Sequence, residues 1–163
     1  MNDRKHGAPR LRSMGVACLL LALAMPAVPA IKNTAVVTAA GNKLSDVPLA
    51  DLVKLCKGTQ KAWPDGRSFT LVIKDPDAPE TRLALEKLFG APTADFKALI
   101  GKLNEARVVV KVVDTDDNVM AAVALTPGAI GLVDVYSINS SVKVLRLDGK
   151  LPFDVGYALK GNA

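Results

Sequence analysis

The chain has 163 residues, 50% of them apolar and 4% aromatic, with 21 Lys and Arg against 16 Asp and Glu for a net charge of +5. That length and apolar content fit one globular domain. Two cysteines and one histidine are too few for a disulfide framework, and no basic stripe interleaved with aromatics suggests nucleic acid.

Residues 1–30 read as a secretory leader. Arg4, Lys5, Arg10 and Arg12 come first, an apolar run follows over 14–25, and small residues end at Val28, Pro29 and Ala30. Pro26 and Pro29 interrupt the apolar stretch before it is long enough to span a bilayer, so no permanent membrane span is expected. Cys18 precedes Leu19 and the rest of the apolar run, the wrong side for lipid attachment. Cleavage after Ala30 leaves 133 residues, enough to bury roughly two thirds of the unfolded surface. It also leaves 17 basic and 15 acidic side chains, a net charge of +2, with neither His6 nor Cys18. A periplasmic or secreted domain of residues 31–163 would then have no histidine and one cysteine, Cys56. Ser-His-Asp and Cys-His nucleophile pairs, His/Cys zinc sites and an internal disulfide are thereby excluded, and no cofactor is expected.

The remaining chain alternates strand and helix patterns. Residues 34–38 (TAVVT) predict a strand, and the spacing of Leu49, Leu52, Val53 and Cys56 predicts one helical face. Ser45 and Asp46 offer caps, Pro48 suits a first turn, and Gly58 supplies a left-handed stop. Trp63-Pro64-Asp65-Gly66 predicts a β-turn leading into a strand over 69–73. Pro79 opens a helix with Leu85, Leu88 and Phe89 inward, ended by Gly90. Thr93 starts another with Phe96, Leu99, Ile100 and Leu103 inward. The valine-rich run over 107–113 predicts a strand covered on both faces, and 115–125 a helix with Val119, Met120 and Val123 inward. Strands over 129–135 and 142–147 complete an α/β layered domain, its sheet mostly parallel and flanked by helices.

Three segments carry a resemblance: LADLVKLCKGTQKAWPDG at 49–66, TPGAIGLVD at 126–134, and VKVLRLDGKLP with GYAL at 142–159. Together they resemble the phosphate-type periplasmic solute-binding proteins, associated with ABC transporters. In that family a helix ends in Ile-Phe-x-Gly before a Trp and a turn, and a late strand reads Pro-Gly-Ala-Ile-Gly-Tyr. Leu55, Cys56 and Gly58 stand at the first motif, Trp63 matches, and Leu132 replaces the tyrosine. The resemblance implies a single periplasmic-binding-protein-like (type II) lobe, equivalent to the second of two that close on an oxyanion. It implies a non-enzymatic role in phosphate uptake or sensing, with phosphate or another small anion as ligand.

The family's anion loop, an Arg followed by Ser-Gly-Thr, falls here on residues 74–82. Lys74 keeps a positive charge, and Lys74, Thr81 and Arg82 are the candidate ligand-binding donors. Ala78 and Pro79 lack the needed donors, while Asp75, Asp77 and Glu80 bring negative charge to the helix start. The alternative is an envelope interaction protein that kept the lobe and lost the ligand, its partner an envelope protein or a second copy covering an exposed sheet edge. Asp114, Asp116 and Asp117 are the clustered carboxylates that a carboxylate-enzyme reading would need. Their spacing opens like a calcium loop, but Val119 stands at the turn glycine and Leu125 at the final acid, so they read as acids over a helix N-terminus. Cys56 reads as a buried core thiol, with a redox or dimer-disulfide role as the alternative. Trp63 reads as packing, and Gly128 and Gly131 as sites of close backbone approach.

Overall fold

The computed structural model describes residues 33–90 and 94–161. The leader with His6 and Cys18, and the expected helix start at Thr93, lie outside the described residues. Seven strands and four helices follow one another as β1 (Thr34–Ala39), β2 (Asp46–Val47), α1 (Leu49–Cys56), β3 (Thr70–Ile73), α2 (Pro79–Phe89), α3 (Phe96–Glu105), β4 (Val109–Val112), α4 (Asp116–Leu125), β5 (Ala129–Asp134), β6 (Val142–Val144) and β7 (Arg146–Leu147). The main sheet has the order β4-β3-β5-β1-β6, and β2 pairs with β7 in a small parallel ribbon. β3 is parallel to both β4 and β5, while β1 is antiparallel to β5 and β6. Four of the five strands of the main sheet therefore share a direction, and β1 alone runs against them.

Pleating sends alternate residues of β1 into different cores. Val36 joins Leu52, Leu55, Leu85, Leu88 and Phe96 on the α1–α3 side. Ala35 and Val37 join Val119, Met120 and Val123 beneath α4. The sheet is thus sandwiched between helices. Gly131 sets the spacing on the α4 side, since a Cβ there would lie 2.5 Å from Val119 Cγ1 and 2.9 Å from Val123 Cγ2.

Helix ends follow local chemistry in most cases. Pro79 opens α2, and Gly90 ends it in the left-handed region at φ +75°. The Thr115 hydroxyl accepts from the Asn118 N–H to cap α4, with Asp116 and Asp117 in its first turn. α3 begins at Phe96, capped by Asp95, whose carboxylate accepts from the Ala98 N–H.

Three expectations need correction. Ser45 and Asp46 do not cap α1: they are tied to the β7 segment, Ser45 through its carbonyl to the Arg146 N–H and Asp46 through its carboxylate to the Gly149 N–H. The first N–H of α1, at Leu49, donates instead to Asp148 Oδ1 at 3.1 Å, from 99 residues along the chain. The valine run is not covered on both faces. β4 is an edge strand: α4 packs on β1, β3 and β5 and leaves Val109 48% exposed, while Val112, on the opposite face with Val110, is 47% exposed. The 142–147 strand divides at Leu145, where the chain leaves β1 for β2: the Leu145 N–H still reaches the Val36 carbonyl, but the Arg146 N–H goes to Ser45.

Candidate functional site

In open α/β sheets, ligands bind outside the carboxyl ends of the strands, where successive connections leave in opposite directions. Here that place lies beside β3, because the chain moves outward from β3 to β4 and then returns across it to β5. Lys74 follows the last residue of β3. Its ammonium lies 3.2 Å from Glu80 Oε1, in the first turn of α2, and 3.3 Å from Asp116 Oδ1, the first residue of α4. Ser137, in the single 3-10 turn after β5, donates its hydroxyl to Asp116 Oδ2 at 2.9 Å. Three separate connections thus meet around one cation.

The cluster is largely removed from water, with the Lys74, Glu80 and Asp116 side chains 20%, 17% and 13% exposed. Partial burial pulls the Lys74 pKa down, but the Asp116 and Glu80 carboxylates outweigh it and hold the ammonium above its ordinary range. Asp116 Oδ1 is buried and accepts no hydrogen bond among the described residues, so the Lys74 charge compensates its burial. Among the described residues, two carboxylates thus converge on the one ammonium. An incoming oxyanion would have to compete with both carboxylates for the ammonium.

The other two candidate donors do not join Lys74 in a cradle. Thr81 is 3% exposed on the inward face of α2. Arg82 reaches along the helix, its Nε 3.4 Å from Glu86 Oε1. The loop before α2 is occupied with itself: Asp75 accepts from the Asp77 N–H at 3.1 Å, and Asp77 pairs with Lys97 at 2.6 Å. Sequence reasoning named Asp116 as a helix-start acid and as one of three clustered carboxylates, but did not connect it with Lys74, and it did not name Ser137. Asp116 was within reach, because neighbouring parallel strands deliver the residues that follow them to the same end of a sheet. Ser137 carries no signal of its own.

Beside this cluster the Tyr136 and Phe153 rings meet at a tilt of 56° with centroids 6.0 Å apart, 82% and 57% exposed. At the opposite end of the sheet is a groove of about 360 Å³ lined by Lys43, Leu44, Trp63, Pro64, Asp65 and Arg67. Its Trp63 is structural: the indole N–H donates to the buried Gly128 carbonyl at 2.8 Å, and the ring meets Phe69 edge to face at 5.8 Å. Arg67 is likewise engaged, with Asp65 and with Asn42 at 3.0 Å. Cys56 is buried, and burial pushes its thiol up to about 12.

No protein-family model matches the sequence, and no curated protein matches it. Solved structures do share its fold. An ABC-type phosphate transport receptor from Vibrio cholerae superposes with a TM-score of 0.61 at 19% identity, over 80% of this chain and 54% of that one. PstS from Borrelia burgdorferi gives 0.63 at 16% identity, over 83% and 56%. A phosphate ABC transporter substrate-binding protein from Clostridium perfringens, solved with bound phosphate, gives 0.58 at 17% identity, over 76% and 48%. The chain spans about half the length of these receptors. It has the mixed α/β fold of such periplasmic-binding-protein-like receptors, with a mostly parallel sheet flanked by helices.

Proposed function

We propose that this protein is a non-enzymatic, extracytoplasmic receptor lobe that has given up phosphate and acts on an envelope protein partner. The observation that carries this reading is the internal pairing of Lys74 with Glu80 and Asp116, at the place where the fold presents ligands. The leader-like pattern of residues 1–30 supports export. No helix among the described residues is long and apolar enough to cross a membrane. The exposed Tyr136–Phe153 pair supports a protein partner, because aromatic side chains are enriched in protein interfaces.

A second reading, a small-anion receptor in phosphate uptake or sensing, is favoured by the likeness to phosphate receptors and would use Lys74, Thr81 and Arg82. Isothermal titration of residues 31–163 with phosphate, and then with sulfate, separates the two. The first reading expects no saturable heat. Micromolar phosphate binding that weakens in Lys74→Ala and Arg82→Ala would overturn it and establish the second.

A further inference from the structure

β4 is an outer strand of the main sheet and is rich in valine, the kind of edge that invites another strand to pair with it. In a parallel pair, alternate residues direct their N–H and C=O groups toward the neighbouring strand. The Val113 N–H donates to the Ile73 carbonyl of β3 at 2.9 Å, so Val109 and Lys111 also face β3, while Val108, Val110 and Val112 face outward.

The outward N–H groups of the first two are already occupied, and so is the Val110 carbonyl. The Val108 N–H donates to the Leu103 carbonyl at 2.9 Å. The Val110 N–H donates to Asn104 Oδ1 at 2.7 Å, and Asn104 Nδ2 donates back to the Val110 carbonyl at 3.1 Å. Asn104 stands in the last turn of α3 and is brought to the edge by a tight reversal. There the Arg107 N–H donates to the Asn104 carbonyl at 3.0 Å, and Arg107 adopts φ +63°.

A carboxamide presents one acceptor and one donor side by side, the same pair that a residue of an incoming strand would present. We propose that Asn104 is an edge guard: by making both outward hydrogen bonds of Val110, it withholds β4 from strand addition by a second copy of this chain. The occupant it excludes is a second copy because the same apolar edge recurs on every molecule, and two such edges can pair about a two-fold axis. Lys111, exposed on the same strand, adds like-charge repulsion against self-pairing. This inference does not depend on whether the protein binds phosphate.

The test combines amide exchange with the oligomeric state. In the unmodified protein the Val108 and Val110 amides should exchange slowly and that of Val112 faster. Equal, fast exchange at Val110 and Val112 would overturn the proposal without any variant. Asn104→Ala should speed exchange at Val110 on the order of tenfold while dilute protein stays monomeric. The double variant Asn104→Ala, Lys111→Thr should form dimers that grow with concentration, whereas Lys111→Thr alone stays monomeric. Adding Val112→Pro removes an outward N–H from the edge and should restore the monomer. A double variant that stays monomeric at millimolar concentration with a native near-ultraviolet tryptophan signal refutes the guard. So does association that Val112→Pro leaves untouched, because that would be unfolding and not edge pairing.

Discussion

Cys56, Tyr157 and Lys74 all bind their protons more tightly in the folded protein than in the unfolded chain. Burial raises the Cys56 thiol from 9.0 to about 12 and the Tyr157 phenol from 10.0 to about 12. The two carboxylates raise Lys74 despite its partial burial. Their contributions are therefore complete below the unfolded values and are lost as pH climbs through the folded ones. Unfolding free energy should fall between about pH 9 and about pH 12, by about 1 kcal/mol per pH unit for each of the two buried groups. Urea titrations across that range should show the decline beginning earliest through Cys56 and starting later in Cys56→Ala. A decline that starts no earlier than in Cys56→Ala would mean that the thiol is accessible. Lys74→Met bears on the site itself. Removing the cation takes the compensating charge from the largely buried Asp116 carboxylate and should destabilise the fold by about 2 kcal/mol. A lysine held ready for a ligand would be replaced at little cost in stability.

Gly131 sets how closely α4 approaches the sheet. Gly131→Ala should destabilise by about 1–3 kcal/mol, because the new methyl meets two valine side chains. Val119→Ala in the same chain should recover part of that loss, a coupling measurable in a double-mutant cycle. The Gly128 and Gly131 spacings were legible in the sequence as close approaches, as were the helix faces and the turn at Trp63. These depend on residues a few positions apart, whose chemistry acts locally. The cap on α1 was not legible, since Asp148 reaches Leu49 only after the β7 segment has docked. Nor was the exposure of β4: a run of valines records β preference and apolarity, and whether a strand ends up central or outermost depends on the whole sheet. The candidate site was half legible. Lys74 announced itself by following a strand, but its neutralisation by Asp116 required knowing that β3 and β4 lie side by side.

At the scale of the molecule, β1 lies between β5 and β6, pairing Thr34 with Asp134 and Ala39 with Val142. Both neighbours of the first strand are therefore made about a hundred residues after it. A chain ending before Ala129 has neither, and should show no cooperative thermal transition by circular dichroism even though most of its helical sequence is present. Non-local pairing of this kind also slows folding relative to helical domains of the same size, a prediction that stopped-flow refolding can check. The order of synthesis adds a further consequence. β1 waits, without its sheet partners, until about a hundred further residues have followed. The central position of β1 thus keeps the stretch between it and β5 open and threadable during synthesis, and delays closure of the sheet until β5 and β6 arrive.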